Sequence, residues 1–214
     1  MIKVLVLLLV FNISLYADTL KQIREDIRYE LRDIIQFTMK PKFNDQIYNT
    51  LINEAQKDMV SRTRCLETVL YMNTTADTME YSLPSDLLLI EEVKYANVSS
   101  SLTVVFSTTG FKSLERYTIM GLNSNFPYWE TLKGMPLRYT VVGSTMIFQP
   151  IPSVSFSGEN RVKIYYYRKV NSLVNDSDIP FNGLDYLVPY HSIIKWYVCA
   201  RLSDDPNKIA YYET

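Results

Sequence analysis

The chain has 214 residues, 47% of them hydrophobic, with 22 basic and 23 acidic side chains and a formal net charge of -1. That length and apolar share fit one domain, or one domain with a large insertion, and exclude a disordered tail. The balanced charge excludes a global attraction to nucleic acid or anionic membrane, so any DNA contact must be local.

The chain opens with MIKVLVLLLVFNISLYADT, in which Lys3 precedes an uncharged apolar run reaching Tyr16. Its length matches the hydrophobic region of a signal peptide and falls short of a comfortable membrane span. Ala17 stands before a plausible cleavage point, with Leu15 where a small residue is preferred. An export signal, an upstream-extended start and a hydrophobic helix that packs in a larger assembly all fit residues 1–17.

From Leu20 to Ile35, apolar residues at Leu20, Ile23, Ile27, Leu31 and Ile34 wind into one helical stripe, with charged residues such as Arg24 and Glu25 covering the remainder. Thr38 to Pro41 breaks that period, because the residue before a proline disfavours helix. A second helix starts at Asn44, a good N-cap, with Asp45 in its first turn. Its stripe is Ile47, Tyr48, Leu51, Ile52, Ala55 and Met59.

Near Glu67 the period becomes extended. Glu67–Met72 and Thr78–Leu83 flank the polar stretch Asn73–Asp77, which reads as a hairpin, and Pro84 ends it. Leu87–Tyr95 is apolar enough for a buried strand. In 97–134 the pattern weakens to a strand at Leu102–Phe106 and a short helix around Lys112–Tyr117, and this region is expected to be the most exposed. Arg138–Val142 and Thr145–Gln149 flank Gly143-Ser144, which has the composition of a primed two-residue turn. Pro150-Ile151-Pro152 closes that strand and Val162–Arg168 supplies another. Helical period then returns, with Asp185 as N-cap, Pro189 in the first turn, and Leu187, Tyr190, Ile194, Tyr197 and Val198 on the apolar face. Asp205-Pro206 looks like the start of a further short helix.

Chemistry is sparse. The chain has one histidine, His191, which excludes a histidine-rich metal site and reads as a structural helix residue. No serine sits in G-x-S-x-G, and the six glycines form no phosphate-cradling loop. Cys65 and Cys199 lack the spacing of a metal knuckle or redox pair and read as two separate buried thiols. Glu91-Glu92 would point to opposite faces of a strand, and Asp204-Asp205 reads as a helix cap. No catalytic, cofactor-binding or metal residue is assigned, and the chain reads as non-enzymatic. The asparagine triplets at Asn73, Asn97 and Asn175 match a glycosylation pattern that a chain rich in Asn, Ser and Thr produces by chance. The 17 tyrosines suit half-buried sheet surfaces and subunit contacts. Small basic clusters occur at Lys40/Lys42, Arg62/Arg64 and Arg161/Lys163/Arg168/Lys169 and read as solvated surface charge, without the aromatic interleaving of single-strand binders.

The order Tyr81-x-Leu83-Pro84-x-Asp86, Gly134-x-Pro136-x-x-Tyr139, Pro150-x-Pro152 and Tyr165-Tyr166-Tyr167 resembles the head-to-tail adaptor, or connector, proteins of tailed bacteriophages, over roughly 45–196. The expected fold class is α+β, a helical bundle formed by N- and C-terminal helices with a large antiparallel β insertion. The expected division is a signal-like segment at 1–17, a helical adaptor domain at 18–66 with 183–214, and a β-rich insertion at 67–182. The resemblance implies a structural virion protein: a ring, dodecameric in the family, that joins the portal to tail or nozzle proteins and continues the DNA channel. It implies transient, non-specific contact with packaged DNA, which basic residues facing the lumen would multiply around the ring. It also implies a C-terminal segment that reaches the portal, here Ile209, Tyr211 and Tyr212. No cofactor or small-molecule substrate is implied. The expected location is the head–tail interface of the virion after assembly in the host cytoplasm. The alternative, carried by the N-terminal run, is an exported periplasmic or surface β-rich binding protein with its signal peptide removed.

Overall fold

The computed structural model describes residues 17–32, 42–96 and 110–203. The architecture is α+β, with N- and C-terminal helices flanking a large antiparallel β insertion. The chain divides into two compact units, one taking residues up to Asp58 and from Asn171 onward, the other Met59–Val170.

In the first unit, α1 (Leu20–Glu30) begins with a capping box that the sequence hides in Thr19-x-x-Gln22. The Thr19 hydroxyl accepts from the Gln22 N–H at 3.3 Å, and the Gln22 amide oxygen accepts from the Thr19 N–H at 2.8 Å. Leu20, Ile23 and Ile27 of the expected stripe are fully buried, Leu31 caps the helix end, and Ile34 lies outside the described residues. Helix α2 (Asp45–Thr63) starts as its sequence indicates, the Asn44 side chain accepting from the Ile47 N–H at 2.9 Å. Tyr48, Ile52 and Ala55 are its buried face within this unit, whereas Ile47 is exposed.

The C-terminal helix differs from its expected form. Asp185–Tyr190 is a 3-10 helix without a side-chain cap, and α4 (His191–Leu202) follows it. Pro189, which has no N–H to give, sits in the tighter segment. Helix α4 packs on α1, burying Ile194 and Val198. Ser203 is the last described residue, so the helix expected at Asp205-Pro206 lies outside the description.

Among its described residues the second unit holds ten strands: β1 (Glu67–Thr74), β2 (Glu80–Ser82), β3 (Leu87–Ala96), β4 (Phe111–Ser113), β5 (Glu115–Arg116), β6 (Lys133–Gly134), β7 (Arg138–Val142), β8 (Thr145–Gln149), β9 (Ile151–Pro152) and β10 (Gly158–Arg168). One four-stranded sheet runs β1-β10-β3-β4 and a second runs β2-β8-β7-β5; β6 and β9 form a small parallel pair. Val93, Tyr95, Val162 and Ile164 of the first sheet and Tyr139, Met146 and Phe148 of the second share one core. The Tyr95 hydroxyl, 3.0 Å from the Thr74 hydroxyl and donating to the Phe156 carbonyl at 2.7 Å, keeps its polar end satisfied there. Burial pushes this phenol up to about 12.

The expected hairpin at Asn73–Asp77 does not form. Strand β1 pairs with β10, β2 pairs with β8, and the polar stretch carries the chain from one sheet to the other. Local chemistry explains the crossover. Asp77 adopts a φ of 60° and its N–H donates to the Pro152 carbonyl at 2.9 Å. The Tyr81 hydroxyl lies 3.0 Å from the carbonyls of Thr75 and Thr78, holding the turn against the second sheet.

Gly143-Ser144 does form a two-residue turn joining β7 to β8, with Gly143 at a φ of 61° in the first central position. The helix expected near Lys112–Tyr117 is instead β4 and β5, with α3 (Ile119–Asn125) after it. Leu122 and Trp129 are buried against Ile147, so this stretch covers part of the second sheet's other face, while most of residues 110–134 are exposed, as expected. That cover accounts for β8 being buried on both faces. The strand expected at Leu102–Phe106 lies outside the described residues.

Candidate interaction surfaces

Each unit presents one surface whose composition is not that of a solvated exterior. In the first unit the surface lies along α1 and α4. Among the described residues α4 carries two apolar stripes: Ile194 and Val198 face the core, while Tyr190 just before the helix, Ile193 and Trp196 face outward. Trp196 is 54% exposed and Tyr29 of α1 is 72% exposed. Both line a groove of about 300 Å3 with Asp26, Glu30, Leu31, Lys195 and Cys199. A surface helix normally buries one stripe and solvates the other. Among the described residues this helix keeps a second apolar stripe largely exposed.

The polar groups around that groove are held rigidly. Lys195 bridges Asp18 at 3.1 Å and Asp26 at shorter range. Burial lowers its ammonium pKa, but the Asp26 and Asp18 carboxylates outweigh that, leaving it above the ordinary lysine value. The Arg24 side chain, expected on a solvated face, is buried. Its guanidinium donates to the Asn49 side chain at 3.0 Å and to Asp176 at 3.0 Å, and it lies 3.6 Å from Asp45. A planar donor fork bonded to α2 and to the returning chain, with its Nε left without a hydrogen bond, ties α1 to both. Sequence periodicity could not reveal this, because an arginine between stripe positions reads as surface.

His191 is buried, with its ring 5.9 Å from that of Phe181, and neither nitrogen makes a hydrogen bond. Burial lowers its pKa; Asp18 opposes the shift and Lys195 adds to it. With no nucleophile bonded to it, it occupies a structural position at the start of α4. Cys65 and Cys199 form no disulfide and are half-buried rather than fully buried. Among the described residues no group of three or more His, Cys, Asp or Glu could hold a metal, and no helix is long and apolar enough to cross a membrane.

In the second unit the surface is the outer face of the first sheet. Tyr71, Lys163, Lys94 and Ser113 lie in one row across β1, β10, β3 and β4. Val69, Tyr165 and Glu92 form the next row. Lys163 stands 5.6 Å from the Tyr71 ring centre and 4.6 Å from that of Tyr165, and Lys94 stands 5.2 Å from Tyr165. Hydrogen bonding to the Tyr165 hydroxyl is the main cause of a raised Lys163 pKa. Glu92 accepts from Ser113 and pairs with Lys94 at 2.9 Å, and these partners hold its carboxyl below the usual range. Aromatic and basic residues thus interleave here, contrary to the sequence reading. The alternation arises across strands and is invisible along any one of them.

The sequence clusters separate accordingly. Arg161 is buried beneath Gly158, Lys163 joins the outer face, and Lys169 donates to the Ser85 carbonyl at 3.4 Å. Arg64 lies 6.0 Å from the Tyr167 ring and Lys42 lies 5.2 Å from that of Phe43. Lys40 and the residues expected to bind the portal, Ile209, Tyr211 and Tyr212, lie outside the described residues, as do 1–16.

A helical unit whose chain is interrupted by a β insertion, with exposed apolar and aromatic surfaces, has the composition expected of an interaction protein rather than of an enzyme site. The family model of the SU10 adaptor protein matches residues 18–214. The chain belongs to that family. Membership supports a general head–tail connector role and a structural place in the virion, and is consistent with a non-enzymatic protein. Comparison with curated proteins finds no match.

Proposed function

We propose that the protein is the subunit of a ring, dodecameric as in the adaptors it resembles, that docks beneath the capsid portal, continues the DNA channel and receives the tail. The observation that carries this reading, beside family membership, is the second apolar stripe of α4, continued by Tyr29. In a ring built from one heterologous contact, that stripe meets a neighbouring subunit, and closure after a fixed rotation buries it in every copy. The helical parts, 18–66 and 183–214, form the ring body, and the β insertion, 67–182, faces the tail. Ile209, Tyr211 and Tyr212 engage the portal. Packaged DNA passes with transient, non-specific contact to lumen-facing basic residues, and no cofactor or small-molecule substrate takes part.

The test mixes the purified full-length chain with the portal protein of the same virus and examines the product by electron microscopy. A ring of adaptor subunits seated on the portal is expected. Deleting the chain from Asp205 onward should leave a folded subunit that no longer binds the portal. Unimpaired binding by the deletion variant would overturn the assignment of Ile209, Tyr211 and Tyr212. A chain that stays monomeric with and without the portal would overturn the ring.

A further inference from the structure

We infer that the loop at 126–132 of one copy docks on the outer face of the first sheet of the next copy, with Tyr128 laid against Tyr71 and Tyr165 and Glu130 paired with Lys163. The inference rests on the ring reading and names one contact within it.

The loop displays an aromatic residue rather than burying it. Its anchor is Trp129, whose ring is buried with Leu122 and Ile147 and whose indole N–H donates to the Asn123 side chain at 2.8 Å. Tyr128 beside it is 86% exposed and holds a φ of 61°, a conformation that strains a bulky residue. The N–H and the hydroxyl of Thr131 both donate to the Tyr128 carbonyl, at 3.0 and 2.9 Å, and fix the turn. The strained backbone thus directs a large aromatic side chain away from the fold, as suits the anchor of an interface. Leu132 is exposed as well, and so is Glu130 between them. Among the described residues no cation pairs with Glu130.

The outer face of the first sheet supplies the complement. Lys163 stands between the rings of Tyr71 and Tyr165. Glu92 on the same face is engaged by Ser113 and Lys94, and among the described residues no carboxylate lies within ion-pair distance of Lys163. A carboxylate arriving beside the two phenols would complete the lysine's surroundings, while Tyr128 would meet Tyr71, Tyr165 and the exposed Val69. Nucleic acid fits this face less well. Glu92 offsets Lys94, and Glu67 and Glu91 lie with Arg64 beside Tyr167, so the surface is too nearly balanced to hold a run of phosphates.

Both surfaces belong to the β unit and lie on opposite sides of it. The two sheets share one core, the loop covers part of the far face of the second sheet, and the Lys163 row is the far face of the first. Packed sheets stand about 10 Å apart, so Glu130 and Lys163 of one chain cannot meet, and a contact between them joins two copies. Its two halves differ, so it is heterologous and passes from copy to copy as a ring requires.

The test assembles equal amounts of isotopically light and heavy full-length chain on the portal and treats the product with a carbodiimide, which joins a carboxylate and an amine in contact as an amide. Mass spectrometry is expected to find Glu130 joined to Lys163 in peptide pairs of mixed isotope. Glu130→Lys and Lys163→Glu should each weaken ring assembly about tenfold, and a chain carrying both should regain it. Tyr128→Gly should weaken assembly on the order of thirtyfold while the thermal midpoint stays level or rises, because glycine adopts a φ of 61° without strain. A tyrosine that served only the fold would show the reverse. Rings that form normally from Tyr128→Gly and from both single reversals, or a double reversal that restores nothing, would overturn the inference and leave the ring standing. Glu130 joined to a portal lysine instead would overturn it in favour of another partner. Absence of any oligomer from the unsubstituted chain would remove the ring and this contact together.

Discussion

Replacing Gln56 by leucine should destabilise the helical unit by about 2–4 kcal/mol, with the loss originating in the backbone of another segment. Gln56 is fully buried on α2. Its amide nitrogen donates to the Asn171 carbonyl at 2.9 Å and to the Asn53 side chain at 2.9 Å, and its oxygen accepts from the Phe181 N–H at 3.3 Å. Beside it, Asn53 accepts from the Leu173 N–H at 2.7 Å and donates to the Leu173 carbonyl at 3.0 Å. Together the two side chains take the place of a strand partner for the returning chain. Leucine keeps the volume but strips partners from the part-buried Asn171 carbonyl and the buried Phe181 N–H. Each costs about 1–3 kcal/mol unsatisfied, offset by roughly 1–2 kcal/mol of apolar burial. With a urea slope of about 1–3 kcal/mol/M, the midpoint should fall by roughly 1–2 M. Urea titration by circular dichroism measures this, and hydrogen exchange at the Phe181 amide locates it. A midpoint within about 0.2 M of the parent, with Phe181 still protected, would refute the clamp. Gln56→Glu gives an independent check. It retains the acceptor for Phe181 but sets a carboxylate against two oxygens, so its folded pKa lies above the ordinary glutamate value of about 4.3. The deficit should therefore appear as pH rises above about 4.3 and shrink in acid, the sign expected when the folded state holds the extra proton.

Because burial lowers the folded pKa of His191, its contribution is fully present above about pH 6.5 and is lost as pH falls from there through the folded value; His191→Phe should remove that part of the slope in urea midpoints taken between pH 7.5 and 5. Covering the exposed half of Trp196 in an interface would bury roughly 100 Å2, worth about 2–3 kcal/mol, so Trp196→Ala should weaken ring formation on the portal by about 30- to 150-fold in sedimentation experiments. Gly158 adopts a φ of 139° and an added Cβ would meet Arg161 Nε at 3.2 Å, so Gly158→Ala should lower the thermal midpoint of the β unit by several degrees, a cost of about 1–3 kcal/mol. Tyr95→Phe strands the Thr74 hydroxyl and the Phe156 carbonyl in the core and should cost about 1–3 kcal/mol by denaturant titration; a neutral result would show that water replaces the phenol.

Much of the local structure was legible in the chain because short-range physics specifies it. The Asn44 cap, the buried Leu20-Ile23-Ile27 stripe, the Gly143-Ser144 turn and the strands on either side of it depend on neighbours within a few residues. The ordered proline and tyrosine motifs also carried the adaptor resemblance, and the family match bears it out in outline. Strand partnership was another matter. A polar turn between two β-rich runs suits a hairpin or a crossover equally, and the choice at Asn73–Asp77 depends on Tyr81, Pro152 and β10, which arrive from elsewhere. The buried Arg24, the Asn53 and Gln56 clamp and the tyrosine-lysine rows were hidden for the same reason. Each joins residues that are distant in sequence and becomes recognisable only when the fold sets them within a few ångströms. Side-chain spacing along one element thus determined helix, strand and apolar face, whereas tertiary structure alone decided which strands pair, which charges are buried and which apolar stripe faces the core.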